Sequence, residues 1–465
     1  MTSSIDTWLQ EELSSLDLGD ERRDRRCAMI VQRAADNPTG SVLAASQGTA
    51  EAKAAYRFLS NEAVEPQALR AAMRDACVDR MRECSRVLVI QDTSTLDFSD
   101  HPATEGLGPT GGGDGSAGHG LLVHSALAVS GDGVPLGLVA QKTWARDPQE
   151  IGSRHQRRER PLQDKESFRW IETLQAVEAV IPEGLDVLHI TDREGDIFEL
   201  LAAPRRERSH LLVRVARPAR CVSGPHGHLG EAAEAAPVVG QFTLLVRRRH
   251  DCPAREATLE VRLCHVSLLP PQGGVHDPNL QPVPVAVVLV REISVPADGR
   301  PIEWLLVTDQ PVDSFDDARR CARDYSLRWL IERYHYTIKS GCRIQDSQLR
   351  HADRIERLLA LYCIVAWRLL WITYQARVDG DQPCTVAFCD LEWQGLWGYH
   401  HEAQPLPATP PTLHQAVRWT AMLGGFLGRK GDGEPGVKVL WQGLTRLQDI
   451  VTGILIGRSL DVGKA

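Results

Sequence analysis

Val87-Leu88-Val89-Ile90-Gln91-Asp92 places four apolar residues before a polar pair, which predicts a short buried strand that ends at Asp92. Two more apolar runs follow at residues 121–129 and 134–140, separated by Ser130-Gly131-Asp132-Gly133. A glycine-rich spacer of this length between apolar runs is typical of a β-hairpin. The three runs therefore predict an antiparallel meander that opens a sheet.

The residues after this meander alternate between helical and strand patterns. Residues 167–180 are amphipathic at helical spacing, and residues 187–191 predict a second buried strand that ends at Asp192. Residues 220–300 hold alternating apolar segments between proline and glycine clusters, which indicates a β-rich insert. A strand at 304–308 and helices over 315–374 follow, so the expected fold class is α/β.

The C-terminal segment carries an apolar stripe at helical spacing, which predicts a packing or dimer face. Its members are Val437, Leu440, Leu444, Leu447, Val451 and Ile454. A proline-rich linker at residues 405–411 precedes this segment.

The composition is that of a soluble globular protein. A chain of 465 residues, with 43% hydrophobic and 25% charged residues, has room for about two to four domains. Its eleven cysteines are scattered without a CxxC pair, which disfavours a disulfide scaffold and fits a reducing cytoplasm. Residues 1–12 do not resemble a secretion signal. The apolar run 358–374 is interrupted by Arg368 and is too short to cross a bilayer, so we expect a buried core helix and no membrane partner.

The net charge of −8 argues against a nucleic-acid partner, but the local distribution of charge argues for one. Arginines are concentrated at residues 22–26, 154–160, 205–220 and 247–249. A single run of this kind is typical of a solvated surface. Four such runs in one acidic chain favour an anionic binding partner.

Three carboxylates lie on separate predicted elements. Asp92 and Asp192 each follow a buried strand, and Glu332 lies on a helix far downstream. Side chains at the ends of neighbouring strands point into a shared crevice, and Mg²⁺ prefers oxygen ligands. The alternative, that each acid is a surface residue or a helix cap, is weakened by the position of both aspartates. The sequence therefore predicts a site for one or two Mg²⁺ ions, which would suit phosphodiester cleavage.

Tyr325, Arg328, Glu332 and Lys339 follow one another at offsets 0, +3, +7 and +14. The pattern predicts one helix over this stretch, and a turn of about 100° per residue then places all four within an arc of roughly 60°. Arg328 and Lys339 would then contact phosphates, and Tyr325 would bond a phosphate or stack on a base. The simpler alternative is an i, i+4 ion pair between Arg328 and Glu332. An ExxH pair of Glu332 with His335, as in di-iron bundles, has no second copy on another apolar helix.

These motifs resemble those of bacterial insertion-sequence transposases of the DDE superfamily. The resemblance is to the branch with a Tyr-Arg-Glu-Lys signature, typified by the transposase of transposon five. The core motifs that carry it are Gln91-Asp92-Thr93-Ser94, Thr191-Asp192-Arg193-Glu194-Gly195-Asp196 and Tyr325-(2)-Arg328-(3)-Glu332-(6)-Lys339. Similar motifs at the two ends are Leu18-Gly19-Asp20-Glu21-Arg22-Arg23, Ala55-Tyr56-Arg57-Phe58, and Leu423-Gly424-Gly425-Phe426 with Leu440-Trp441.

The resemblance implies an α/β fold with a ribonuclease H-like catalytic core and a β-rich insertion, flanked by helical domains at both ends. It implies an N-terminal DNA-binding domain at residues 1–70 and a catalytic domain at residues 71–375, with the insertion at about 218–300. A C-terminal helical dimerisation domain is implied at residues 376–465.

The resemblance also implies roles for individual residues. Asp92, Asp192 and Glu332 are the implied catalytic and metal-binding triad. Implied phosphate contacts come from Tyr325, Arg328 and Lys339, implied contacts at the DNA end from Arg214, and end-specific contacts from Arg22, Arg23 and Arg26. Trp304 matches the aromatic residue that receives a flipped base. The alternative for Trp304 is a core tryptophan of a strand.

The implied activity is cut-and-paste DNA transposition with two Mg²⁺ ions, or Mn²⁺ in their place, through a hairpin intermediate. The implied partners are double-stranded DNA at terminal inverted repeats, target DNA and a second copy of the chain in a synaptic homodimer. The implied location is the bacterial cytoplasm, in association with the nucleoid. One alternative is a non-catalytic or domesticated inhibitor that binds DNA ends without cutting them. Another is a carboxylate-pair hydrolase of sugars that needs no metal.

Overall fold

The computed structural model describes residues 5–111, 118–150, 159–246, 255–273, 275–294, 301–402 and 404–462. The arginines at 154–158 and at 247–249 lie outside these ranges. The described strands are β1 (Arg86–Asp97), β2 (Gly108–Pro109), β3 (His119–Ser130), β4 (Pro135–Trp144), β5 (Asp186–Thr191), β6 (Ser209–Arg214), β7 (Val238–Val246), β8 (Arg255–Leu268), β9 (Val283–Glu292) and β10 (Glu303–Thr308).

The described helices are α1 (Thr7–Glu12), α2 (Glu21–Asp36), α3 (Val42–Ala45), α4 (Thr49–Leu59), α5 (Pro66–Arg82), α6 (Arg169–Glu178), α7 (Phe198–Leu201), α8 (Leu229–Ala235), α9 (Phe315–Ser326), α10 (Trp329–Tyr336), α11 (Ala352–Val378), α12 (Asp390–His400), α13 (Leu413–Leu423) and α14 (Val437–Val462).

The ten strands form one mixed sheet in the order β2-β3-β1-β5-β6-β10-β9-β8-β7, with β4 paired to β3. The meander of β1, β3 and β4 is antiparallel, as the apolar runs predicted. β1, β5 and β6 are parallel, which places a buried apolar strand at the centre of the sheet. The prediction of an α/β fold with flanking helices is confirmed at this level.

Asp92 lies inside β1, so the prediction that the strand ends there is wrong. The parallel pairing of β1 with β5 stops at Ile90 and Ile190, but the antiparallel pairing with β3 continues from Asp92 opposite Ser125 to Asp97 opposite Gly120. Residues 92–95 are only half-buried. The apolar run therefore marks the part of β1 that is paired on both edges, and the strand continues in polar residues that still suit a pleated surface.

The β-rich insert extends the same sheet. β9 pairs antiparallel with β10 and with β8, and β8 pairs with β7 at the far edge. β10 in turn pairs with β6 of the parallel group. The strands of the insert are therefore continuous with those that carry the aspartates.

α11 is the buried core helix expected from the apolar run. Eighteen of its 27 residues are buried, and α2, α5, α13 and α14 all pack against it. No helix within the described ranges is long and apolar enough to cross a membrane. The implied domain boundaries at residues 70 and 375 fall inside α5 and α11, so the division into domains stays a prediction.

The apolar stripe of α14 packs inside the chain. Val437, Leu440, Leu444, Leu447 and Val451 are at most 8% exposed and belong to the main hydrophobic core. Of the two predicted roles, the structure shows this stripe as a packing face within the chain. Further along α14, Leu455, Ile456 and Leu460 are exposed.

A small polar cavity lies where the N-terminal helices meet α11, α12 and α14. The Gln32 amide donates to Asp6 and to Asp36 at 2.9 Å, and the Gln448 amide donates to Glu392 at 2.9 Å. Burial raises the pKa of Asp36 to about 6 and the pKa of Glu392 to about 7. Acids of the two ends of the chain thus share one poorly solvated space.

We expect the pKa of Glu392 to make stability fall with rising pH. The folded chain holds this proton up to about pH 7, whereas the ordinary pKa is 4.5, so stability is lost between these values. Glu392→Gln keeps the shape of the side chain, and its single oxygen can still accept from the Cys389 N–H, while the Gln448 amide can turn over and accept from the new NH2 group. This variant should raise the free energy of unfolding at pH 8 by about 1–3 kcal/mol, with little change at pH 5. Thermal melts at both pH values measure this, with exposed Glu402→Gln as the control. A variant less stable than the wild type at pH 8 would contradict the assignment.

Candidate active site

Asp92 of β1 and Asp192, the residue that follows β5, lie side by side at two neighbouring parallel strands. Ile90 of β1 pairs with Ile190 of β5, and each aspartate follows that pair by two residues. The Asp92 side chain is 18% exposed, so it faces a crevice that is open to solvent only in part. The parallel register therefore brings together the first two carboxylates that the sequence singled out.

The turn after β5 fixes the second aspartate. The Asp192 side chain accepts a hydrogen bond from the Glu194 backbone N–H at 2.8 Å. A Cβ at Gly195 would meet the Thr191 hydroxyl at 2.4 Å, so glycine is required for this tight turn. Burial raises the pKa of Asp192, and the charge of Asp92 raises it further. Two carboxylates that repel each other in a half-buried crevice favour a cation between them.

Glu332 lies on α10, which packs over β1. From the same helix, the His335 ring lies 3.7 Å from Asp92 through Nδ1 and 3.3 Å from the Ser125 hydroxyl through Nε2. Glu332 itself is paired with Arg328, so the i, i+4 ion pair considered from the sequence is present. Within the described ranges, no three His, Cys, Asp or Glu side chains already form a group that could hold a metal ion. The donor set nevertheless fits Mg²⁺ chemically, because Asp92, Asp192 and Glu332 offer only oxygen ligands.

The prediction that residues 325–339 form one helix is wrong. Tyr325 lies in the last turn of α9, Glu332 lies on α10, and Lys339 lies in a π-helical turn over Thr337–Gly341. Between α9 and α10 the backbone bonds tighten to i+3, as from Arg328 N–H to the Tyr325 carbonyl at 3.0 Å. The angular spacing is therefore not uniform along this stretch. Burial lowers the pKa of Lys339, while Asp92 and Asp97 raise it, so its ammonium lies near the carboxylates.

A second cluster joins the insert side of the sheet to α9. The Trp304 ring meets the Tyr325 ring edge-on at 5.4 Å between centroids, and the Arg328 guanidinium carbon lies 5.9 Å from the Tyr325 centroid. The buried Tyr325 hydroxyl makes no hydrogen bond of regular geometry, although the guanidinium groups of Arg214 and Arg328 lie within reach of it. Burial raises the pKa of Tyr325, and the charges of Arg328 and Arg214 oppose that rise. The structure therefore brings four predicted DNA-binding side chains together in one cluster. They are those of Trp304, Tyr325, Arg328 and Arg214.

Trp304 is half-buried and packs against the main core. The core alternative for this residue is therefore correct in part, since one edge of the ring is covered. Arg214 lies on β6 and pairs with Leu306, which follows Trp304 by two residues on β10. Its guanidinium donates to the Glu303 carbonyl at 3.0 Å.

The predicted N-terminal contacts lie on α2, apart from these clusters. The side chain of Arg22 is 91% exposed and lies 3.9 Å from Asp20, the residue that caps α2. Arg23 reaches the Ala63 carbonyl at 3.4 Å. Arg26 is half-buried and lines a small cavity beside α4. The described contacts of these three residues do not include Asp92, Asp192 or Glu332.

Arg169 is a residue at the site that the sequence reasoning missed. Its buried guanidinium donates to the Thr93 hydroxyl at 2.9 Å and to Glu194 at 2.7 Å, beside both aspartates. The available signal was a charged residue next to Trp170 at the start of an amphipathic helix.

Two segments of the chain match family models of known proteins. Residues 5–64 match a model described as transposase DNA-binding, and residues 364–463 match one described as transposase Tn5 dimerisation domain. The first segment covers α1 to α4, and the second covers the C-terminal part of α11 together with α12 to α14. Neither model covers the carboxylates of the sheet.

We expect Tyr325→Phe to leave the fold intact and to raise its stability slightly. A buried hydroxyl without a hydrogen bond of regular geometry costs up to about 1–3 kcal/mol, and phenylalanine removes that cost without creating a cavity. Thermal unfolding without DNA measures this, with Tyr336→Phe as a control on an adjacent helix. A loss of stability in Tyr325→Phe would show that the hydroxyl has a partner inside the folded chain.

Proposed function

We propose that this chain, a Tn5-like transposase by both family matches, performs cut-and-paste transposition by cleaving and joining phosphodiester bonds at transposon ends. The catalytic unit would be a ribonuclease H-like domain at residues 71–375. The single observation that carries the proposal is the pair of half-buried carboxylates, Asp92 and Asp192, on adjacent parallel strands beneath the helix of Glu332.

Asp92, Asp192 and Glu332 are the residues that would hold Mg²⁺ or Mn²⁺. Such ions, when bound, activate the attacking oxygen and stabilise the leaving oxygen of a phosphodiester. The position of Asp192 supports this assignment, because its half-buried carboxylate lies close to that of Asp92 on the neighbouring strand. Glu332, which is 34% exposed, would exchange its pairing with Arg328 for the metal site.

The cationic side chains of the site would bind the phosphates of the DNA end. Arg328 and Arg214 flank the Tyr325 hydroxyl, and a guanidinium fork suits phosphate oxygens. A phosphate at this position would satisfy the hydroxyl as well. Lys339, near Asp92, would contribute a point charge next to the bond that is cut.

The hairpin step would use Trp304. Its half-buried indole already contacts Tyr325, so one edge is fixed and the remaining surface is available for a base. Stacking on an aromatic ring offsets part of the cost of unstacking a base from the duplex. This placement supports a flipped nucleotide beside the phosphate-binding arginines, Arg328 and Arg214.

The flanking segments would supply end recognition and the second subunit. Arg22, Arg23 and Arg26 on α2 would contact terminal inverted repeats, and the model that matches residues 5–64 supports DNA binding there. The match over residues 364–463 supports a homodimer. Target DNA would enter after the ends are cut.

The alternative of a non-catalytic inhibitor predicts salt-dependent binding to DNA ends without cleavage. A sugar hydrolase predicts activity that survives removal of divalent metal. The cations around the carboxylates favour a phosphodiester over a sugar, and the complete carboxylate set favours an active enzyme over an inhibitor.

We expect the full-length chain to nick DNA that carries the terminal repeats of its own element, in Mg²⁺ and not in EDTA. Asp192→Asn and Glu332→Gln should each reduce the cleavage rate by at least about 100-fold, because each removes charge from the reaction site. Asp186→Asn, at the opposite end of β5, is the matched control and should cut normally. Full activity in Asp192→Asn would remove the triad assignment, and binding without nicking in the wild type would favour the inhibitor.

We expect Arg22→Gln combined with Arg23→Gln to weaken binding to terminal-repeat DNA without lowering the melting temperature, since neither side chain is buried. Loss of two phosphate contacts would reduce the slope of log K against log salt by about 2. Fluorescence anisotropy between 50 and 200 mM salt, about the range over which such contacts are resolved, measures both quantities. An unchanged slope would place DNA recognition elsewhere on the chain.

A further inference from the structure

One buried arginine lies behind the two aspartates and contacts both of the strand segments that carry them. Arg169 is the first residue of α6, and its side chain is only 9% exposed. Its guanidinium donates to the Thr93 hydroxyl at 2.9 Å, to the Glu194 carboxylate at 2.7 Å and to the Glu166 carbonyl at 2.9 Å. Thr93 follows Asp92 directly, and Glu194 lies two residues after Asp192.

The contact with Thr93 continues into a hydrogen-bonded chain of defined direction. A guanidinium can only donate, so the Thr93 oxygen accepts from Arg169. The Gln91 side-chain oxygen beside His124 Nε2 can only accept, so in a neutral ring Nδ1 carries no hydrogen and accepts from the Thr93 hydroxyl at 2.8 Å. The His124 ring is neutral, because burial and the neighbouring Arg169 charge hold its pKa well below the ordinary value. Its Nε2–H therefore donates to the Gln91 side-chain oxygen at 3.2 Å.

This chain of contacts holds the residues on both sides of the first aspartate. Gln91 and Thr93 lie on one face of β1, and Asp92 lies on the other, because side chains alternate along a strand. On the second strand, the Glu194 that Arg169 binds is the residue whose N–H donates to Asp192 at 2.8 Å. Arg169 is thus the one described side chain that is hydrogen-bonded to both segments.

The arginine is itself held on several sides. Glu166, whose carbonyl accepts from Arg169, is bound by Arg146 through two hydrogen bonds of 2.7 and 2.8 Å. Trp144 and Trp170 lie within 5.9 Å of the guanidinium carbon. Burying a guanidinium is costly unless its donors are matched, and here they are matched by three separate elements of structure. Such a group has a fixed position.

We propose that Arg169 is a positioning residue that sets the distance between Asp92 and Asp192 without touching the substrate. This inference rests on the proposed function, since it concerns the placement of the residues that would hold the metal ions. Partners that orient metal-binding carboxylates from behind affect metal affinity or rate by about 10–100-fold when they are removed.

The test uses the full-length chain with four variants. Arg169→Met removes all the donors but keeps the length of the side chain. Thr93→Val removes the hydroxyl, and Thr93→Ser keeps it. Arg208→Gln is the matched control, because Arg208 makes a two-bond pair with Asp186 at the opposite end of the same strands.

Two measurements are needed, and one of them does not depend on activity. Mn²⁺ binding is followed by the loss of the free-ion signal in electron paramagnetic resonance, and cleavage of terminal-repeat DNA is followed against Mg²⁺ and DNA concentration. Arg169→Met should bind Mn²⁺ about 10–100-fold more weakly and lower kcat by a similar factor, with an unchanged KM for DNA. Thr93→Val should shift in the same direction, whereas Thr93→Ser and Arg208→Gln should match the wild type.

Wild-type Mn²⁺ affinity and kcat in Arg169→Met would overturn the inference while leaving the proposed function intact. If Arg169→Met does not fold, the Thr93 pair decides, and equal behaviour of Thr93→Val and Thr93→Ser would overturn it. A rise in KM for DNA alone would also overturn it, since that result would place Arg169 in substrate binding. A wild-type chain that binds DNA but neither binds Mn²⁺ nor cuts would instead overturn the proposed function, and the inference with it.

Discussion

The parallel pairing of β1 with β5 is the constraint on which the rest of the site depends. It ends at Ile90 and Ile190, and it leaves two like charges side by side where the sheet opens into a crevice. Burial has already raised the pKa of Asp192 in this place. Repulsion between neighbouring carboxylates at low dielectric is strong, so the arrangement favours cations close to both side chains.

The surrounding cations are divided between the two faces of β1. On the face of Asp92, the start of α10 and the π-helical turn bring Arg328, which is paired with Glu332, and Lys339. On the opposite face, α6 brings Arg169, and each of its three guanidinium nitrogens donates a hydrogen bond within the protein. One strand therefore separates the charges that would meet DNA from the charge that holds the carboxylates in place.

The sequence predicted those parts of the fold that depend on local patterns. Apolar runs located the central strands and α11, and their ends located Asp92 and Asp192. The single helix over residues 325–339 was wrong, because a change from i+3 to i+5 hydrogen bonding leaves the apolar spacing almost unaltered. Arg169 was missed for a different reason: its partner Thr93 is 76 residues away, and no local pattern records such a contact. The features that could not be predicted from the sequence were therefore mostly hydrogen bonds between polar side chains far apart along the chain.

α11 shows how the matched end segments are joined to the sheet. Most side chains of α11 are apolar and cannot form hydrogen bonds with the loops that pack against the helix. The carbonyl groups of these loops are removed from water, so they need hydrogen-bond donors from the protein. Three arginines along the helix supply them: Arg357 donates to Val64 and Leu59 at 2.8 and 3.2 Å, Arg368 to Ala387 at 3.0 Å, and Arg377 to Pro435 at 2.7 Å. The first two carbonyls belong to the N-terminal segment and the others to the C-terminal one. The arginine inside the apolar run and the two that flank it are therefore the groups that fix both segments to the core.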